Sequence, residues 1–316
     1  MVKDISDPSL LDQILDASYP VWGEGLSRAS YGSWNRALGM TAWGREHLAR
    51  VGLIEGDKVL VSAKRYLFDA QADGRPIKVL GIGAVFTPEH RRGQRLAPRL
   101  IEAMIDDGRA RGCDVALLFS EIGADYYAGL GFTVVERPRL TIDVPRNRRG
   151  APAVLVRAAE PGDLPLLSEI SMLYASGAGF AIDRPASLLE FGVLRRRLLA
   201  GLGPAGLRSL EFFVAEEGYR AVAYVVVSRG PGGVVLEECG DRDPTGARVG
   251  AMLESLAERD PSQLDRTMRT VWPETFRPPQ LQVIKSEPSP EVMMVRSISG
   301  AAPDYSRSVF WQTDVF

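Results

Sequence analysis

A chain of 316 residues is long for one hydrophobic core, so two domains are expected. Its 45% apolar and 25% charged residues, with a net charge of −2, describe an ordinary folded protein. They give no global attraction to nucleic acid or to an anionic membrane. Met1 to Asp7 lacks the apolar core of a signal peptide, no later run approaches a membrane span, and Cys113 and Cys239 offer no disulfide framework; a reduced, cytoplasmic protein is expected.

The first predicted element is a helix over Pro8 to Ala17, with Leu10, Leu11, Ile14 and Leu15 on one face and Asp7 as its cap. An aromatic segment follows, with Tyr19, Trp22, Tyr31, Trp34 and Trp43, including helix from about Ser30 to Val51. Its rings either pack helices onto a sheet or wall an acceptor pocket, the second reading giving Trp22 and Trp34 a part in substrate binding. From Lys58 to Ala70 the chain is β-rich, Ala72 to Arg75 is a turn, and a second strand runs through Ile77 to Phe86.

Next, Pro88 leads into Arg91, Arg92 and Arg95 around Gly93, and helical spacing resumes at Leu96, Leu100, Ile101, Met104 and Ile105. A strand, a basic turn and a helix aim backbone N–H groups, a helix N-terminus and guanidinium groups at one point. That is a place to hold a pyrophosphate. Arg111-Gly112 closes the helix, Cys113 to Ser120 reads as a buried strand, and Gly123 to Gly131 as a short helix with a glycine stop. Strands at Phe132 to Val135 and Leu140 to Val144 complete a mixed α/β sheet.

Pro145 to Pro152 is a basic, proline-marked connection, after which Val154 begins a strand, a turn and a capped helix. Leu188 to Leu199 is an amphipathic helix whose wetted side is expected to carry Arg195 to Arg197. β-rich runs follow at Glu211 to Ala215, Arg220 to Ser228 and Gly233 to Cys239, then a helix from Ala247 to Arg259. The order repeats that of the first half. Where the phosphate turn should recur stands Gly240-Asp-Arg-Asp-Pro-Thr-Gly246, and Asp241 and Asp243 would repel a pyrophosphate.

The strand, basic turn and helix, followed by a buried strand and Tyr-Tyr-Ala-Gly-Leu-Gly-Phe132, resemble the GNAT superfamily of N-acetyltransferases. The superfamily's phosphate signature falls on Arg92 and Ala97, but Arg95 stands where glycine is usual. Its second signature, an aromatic residue, three residues, then Gly-Phe, is met by Tyr127, Gly131 and Phe132. Pro88-Glu-His-Arg-Arg-Gly with Ser120-Glu121 is similar, more narrowly, to the enhanced-intracellular-survival branch, which carries tandem acetyltransferase folds and a third domain for which this chain is short. The resemblance implies a catalytic GNAT domain over 1–148 and a degenerate GNAT-like domain over 149–316, the latter covering the first sheet.

It also implies acetyl-CoA as cosubstrate, held by Val85, Phe86, Thr87, Arg91, Arg92, Gly93, Gln94, Arg95, Leu96 and Ala97. An amine attacks the thioester, a backbone N–H of a splayed strand meets the oxyanion, and a tyrosine hydroxyl protonates the departing thiolate. The resemblance gives that last role to Tyr127, with Tyr126 one residue away as competitor. Glu121, which follows the buried strand, is a candidate for the base and for holding the acceptor. The carboxylate of Phe316 is another, because the tail Ser308 to Phe316 is too apolar to lie free in water and in the survival branch the chain end enters the active site.

With His47 and His90 as the only histidines, no metal spacing is present, and Gly201 to Gly206 matches a dinucleotide pattern only as a string following a helix. The reading is an N-acetyltransferase acting on a small-molecule amine, with no metal, nucleic-acid or membrane partner, and compatible with a homo-oligomer. The alternative is a non-catalytic acyl-CoA-binding or regulatory module in which Arg95 has spoiled the productive pose.

Overall fold

The computed structural model describes residues 2–146, 152–259, 266–273, 276–301 and 303–316. The proline-marked connection and the boundary between 148 and 149 fall largely outside the described residues.

After a short strand β1 (Lys3–Asp4), helix α1 (Pro8–Trp22) starts where the Asp7 carboxylate accepts the Ser9 N–H at 2.7 Å and buries Ile14 and Leu15. The single helix expected over 30–51 is instead α2 (Arg28–Met40), α3 (Ala42–His47) and the start of strand β2 (Leu48–Glu55). Thr41 makes the break. Its backbone is extended, and its hydroxyl caps α3 by accepting the Gly44 N–H at 2.9 Å. A two-residue turn at Asp73 and Gly74, both with positive φ, joins β3 (Lys58–Ala72) to β4 (Arg75–Phe86) as a hairpin. Helix α4 (Leu96–Ala110) buries the apolar stripe read from the sequence and delivers the chain to β5 (Val115–Ser120), parallel to β4.

Beyond β5 come α5 (Asp125–Ala128), β6 (Thr133–Val134) and β7 (Pro138–Asp143). The second half holds β8 (Leu155–Ala158), α6 (Leu164–Leu173), β9 (Phe180–Ile182), α7 (Ala186–Leu202), β10 (Ser209–Glu217), β11 (Arg220–Gly230), β12 (Gly233–Asp241), α8 (Ala247–Arg259), β13 (Thr267–Thr270), β14 (Gln282–Pro288), β15 (Val292–Ser297) and β16 (Ser308–Val309). Two sheets result. One has the order β1-β2-β3-β4-β5-β15-β6, with β9 and β16 attached beside β3; the other runs β14-β7-β13-β12-β11-β10-β8. In each, one parallel pair is joined through a single helix, β4-α4-β5 and β12-α8-β13.

The sheets exchange strands across the middle of the chain. β7, read as completing the first sheet, belongs to the second, where Ile142 lies opposite Met268 and both are fully buried. In return β15 slots between β5 and β6, burying Met293 and Val295 in one core cluster and Met294 in another. An alternating apolar pattern specifies a buried face, not which sheet supplies it, so both sheets accept the incoming strand.

Candidate active site

The site begins where β4 loses regularity. Lys64 of β3 faces Gly83, yet Ser62 faces Phe86, so β4 bulges at Ala84, whose φ is +45°. On its other side the ladder to β5 stops at Ile82 opposite Leu118. The two strands therefore part at Gly83 to Phe86, leaving backbone groups free to meet a ligand.

The bulge feeds the basic turn. A short 3-10 turn at Glu89–Arg91 ties the N–H groups of Arg91 and Arg92 back to Pro88 and Glu89, and Gly93 then takes a φ of +77° with nothing within 4 Å of where its Cβ would stand. The next five N–H groups, of Gly93, Gln94, Arg95, Leu96 and Ala97, donate to no described residue. Successive free N–H groups at the start of a fifteen-residue helix form an anion nest, and Arg92 and Arg95 stand exposed beside it. These residues fit a pyrophosphate. Arg95 itself adopts φ +55° and ψ +29°, the left-handed region that a Cβ makes costly, which accounts for the glycine expected there. Arg95→Gly should raise stability by about 0.5–1 kcal/mol, net of glycine's greater freedom when unfolded. An unchanged denaturant midpoint would contradict the strain.

Past the bulge, on the side away from the turn, lies a cavity of about 350 Å³ that brings together Trp22, Trp34, Val85, Glu121, Tyr127 and Phe316. Tyr127, in α5, lies edge-on to Phe132 and is partly buried, and burial, with Tyr126 and Glu121 adding to it, pushes its phenol up to about 12. Tyr126 is 40% exposed and does not line the cavity. Glu121 is an exposed carboxylate at the rim. The Phe316 ring packs on Tyr66, Phe68 and Phe119 at 4.5, 5.2 and 5.3 Å. It can do so because Gly81 and Gly83 carry no side chains: a Cβ on Gly81 would come within 2.8 Å of the ring, and one on Gly83 within 3.4 Å of the Phe316 backbone oxygen.

Composition alone did not reveal what holds the chain end there. Arg184, 4% exposed, is paired with Asp314 and Glu238 and donates to the Thr313 hydroxyl. Arg195 donates to the Val315 carbonyl at 2.5 Å and Arg196 to that of Gln312 at 3.1 Å. The expectation that Arg195 to Arg197 face water is thus corrected. Only Arg197 does so, because the tail presents carbonyl groups to the other two. The cavity also holds Arg50 and Lys64, which the sequence reading left unassigned.

The corresponding loop of the second sheet offers no nest. The Asp241 carboxylate, fully buried, accepts the N–H groups of Asp243 and Arg248, both at 2.9 Å, and Asp243 accepts that of Thr245. Its own side chains consume the donors that an anion would need. Among the described residues no group of three His, Cys, Asp or Glu is placed to hold a metal ion, and no helix is long and apolar enough to cross a membrane.

A bulged strand, a free N–H turn and a helix, with a cavity at the parting of two parallel strands, thus set a place that fits a pyrophosphate beside a cavity lined by a tyrosine. Residues 11–135 match the family model described as an acetyltransferase (GNAT) domain. That match likens this part of the chain to GNAT acetyltransferases. No curated protein matches it.

Solved structures of similar fold include a conserved protein of unknown function from Enterococcus faecalis V583, a probable N-acyltransferase (TM-score 0.70, 14% identity, 95% of this chain and 72% of that one). Eis1 from Mycobacterium abscessus gives 0.59 and 12%, with 95% and 74% covered. The N-myristoyltransferase of Saccharomyces cerevisiae, with bound myristoyl-CoA, gives 0.57 and 13%, with 96% and 83% covered.

Proposed function

We propose that this protein is a cytoplasmic N-acetyltransferase that moves an acetyl group from acetyl-CoA to the amine of a small molecule. Residues 1–148 form its catalytic GNAT domain; residues 149–316 form a degenerate GNAT-like domain that exchanges one strand with the first. The observation that carries this reading is the run of five unpartnered N–H groups ending at a strand bulge that opens on the Tyr127 cavity. The pyrophosphate sits on Gly93 to Ala97, the pantetheine arm lies in the parting between β4 and β5, and the thioester reaches the bulge. A backbone N–H near Ala84 or Val85 meets the oxyanion as the amine attacks, and Tyr127 returns a proton to the sulfur. Glu121 or the Phe316 carboxylate takes the ammonium proton.

The aromatic packing supports a short acyl group. Trp43, Tyr66, Phe68, Phe191 and Phe316 leave only about 20 Å³ between them, no room for a long chain. The α1 and α2 helices and the chain end roof the cavity, which favours a small acceptor over a folded protein surface. Release of CoA thiol from acetyl-CoA in the presence of a panel of small amines tests the reading, with amine-dependent release expected. Binding of acetyl-CoA without release by any amine would point instead to the non-catalytic module, with Arg95 holding the cosubstrate out of reach.

A further inference from the structure

The acceptor cavity is walled by cations. Arg50 of β2 and Lys64 of β3 are direct cross-strand partners, so their side chains leave the sheet on one face, and both line the cavity. Like charges placed directly opposite destabilise a sheet. Arg195 reaches the same space from α7, and its backbone carbonyl accepts the Trp34 indole N–H at 3.0 Å. None of the three forms an ion pair with a carboxylate among the described residues. Arg50 spends one nitrogen on Asn35 at 2.8 Å, while its Nη1, buried near the Tyr31 phenol, makes no well-formed hydrogen bond among the described residues. Among the described residues Lys64 makes no hydrogen bond; its Nζ lies 5.7 Å from the centre of the Trp34 ring.

The carboxylates of this cavity are elsewhere engaged or at its mouth. Glu24 pairs with Arg208, Glu291 accepts the Ser289 hydroxyl, and Glu121 is exposed at the rim. Burial, reinforced by Arg50 and Arg195, lowers the Lys64 ammonium well below its usual value, as expected of a cation without a counter-ion. Two guanidinium groups without a carboxylate partner, beside a lysine whose charge burial disfavours, would all be stabilised by an anion bound among them.

We infer that the acceptor is an amine that also carries an acidic group, a carboxylate or a phosphate, and that Arg50, Lys64 and Arg195 hold that group while the amine meets the thioester. The spacing agrees. Lys64 pairs with Gly83 at the bulge on one side and with Arg50 on the other, so the cations stand one and two strands from the reacting carbonyl, about 5–10 Å away. A compact amino acid or amino-alkyl phosphate spans that distance, and Trp34 offers a flat wall to its carbon skeleton.

The inference rests on the N-acyltransferase reading and names its acceptor. Its test compares kcat/KM for acid and neutral partners of one skeleton: 4-aminobutanoate against 4-aminobutanamide, and O-phosphoethanolamine against ethanolamine. At least one acid should exceed its neutral partner by about tenfold or more, and the pair that does so separates carboxylate from phosphate. Lys64→Met and Arg50→Gln should bring that ratio towards one while the KM for acetyl-CoA stays unchanged. Equal or reversed ratios in the wild-type protein would overturn the inference. Should no amine be turned over at all, the acyltransfer reading fails separately, and the anion site is read directly by the quenching of tryptophan fluorescence with 4-aminobutanoate or inorganic phosphate. Saturable quenching that Lys64→Met abolishes sustains the site; its absence, or its persistence in the variant, overturns it.

Discussion

Tyr127→Phe should lower kcat by about 10²- to 10⁴-fold, the usual contribution of a positioned general acid, and leave the KM for acetyl-CoA nearly unchanged. The expectation follows from placement. Tyr127 alone of the two neighbouring tyrosines lines the cavity, its hydroxyl makes no hydrogen bond within the described residues, and Phe replaces its ring without loss of packing on Phe132. The pH dependence has a definite sign. Burial raises the phenol to about 12, so the proton that the proposed role requires is present at every pH below that, and lost only as pH rises through it. The wild-type rate should therefore show no descending alkaline limb between pH 8 and 10 attributable to this group. Tyr126→Phe, on an exposed ring, should change the rate less than threefold. Equal losses in the two variants would remove Tyr127 from its assigned role.

Arg184→Leu should destabilise the protein by about 3–5 kcal/mol, because it strands two carboxylates in the interior. Glu238 and Asp314 are 3% and 4% exposed, and the guanidinium between them is their shared cation. The consequence reaches the active site through the tail. Asp314 accepts the Trp311 N–H at 2.8 Å and fixes the last turn, so its release frees Phe316 from Gly81 and Gly83. Chemical denaturation measures the first effect; carboxypeptidase digestion, faster in the variant, measures the second. A loss below about 1 kcal/mol would mean that apolar burial of Trp311 and Phe310 holds the tail without the ion pairs.

How far the sequence disclosed this arrangement depended on the range of the interactions. The turn from Pro88 to Ala97 was legible because everything that shapes it is local: a proline, a glycine at φ +77° and a helix stripe. The break at Thr41 was not, since a threonine between two helical stretches signals a cap only once its own backbone turns extended. The apolar tail announced that it must be covered, and Trp311 is indeed fully buried. Its route over β4 depends on absent side chains at Gly81 and Gly83, which inside a strand read simply as small residues.

The strand exchange lay beyond any local pattern. β7 and β15 each present residues that either sheet could bury, and the choice is made by edges that only the finished sheets possess. Arg195 and Arg196 misled for the same reason. On a helical wheel they extend a polar face, whereas in space that face meets the carbonyl groups of residues more than a hundred positions away.

Calorimetric titration of CoA into the wild-type protein and into an Arg92→Glu variant tests the central claim most directly, because the anion nest of Gly93 to Ala97 is what every later step requires. One molecule should bind per chain, and placing a carboxylate beside the nest should weaken it by at least tenfold. Binding of two molecules per chain, or an affinity indifferent to Arg92→Glu, would contradict the account.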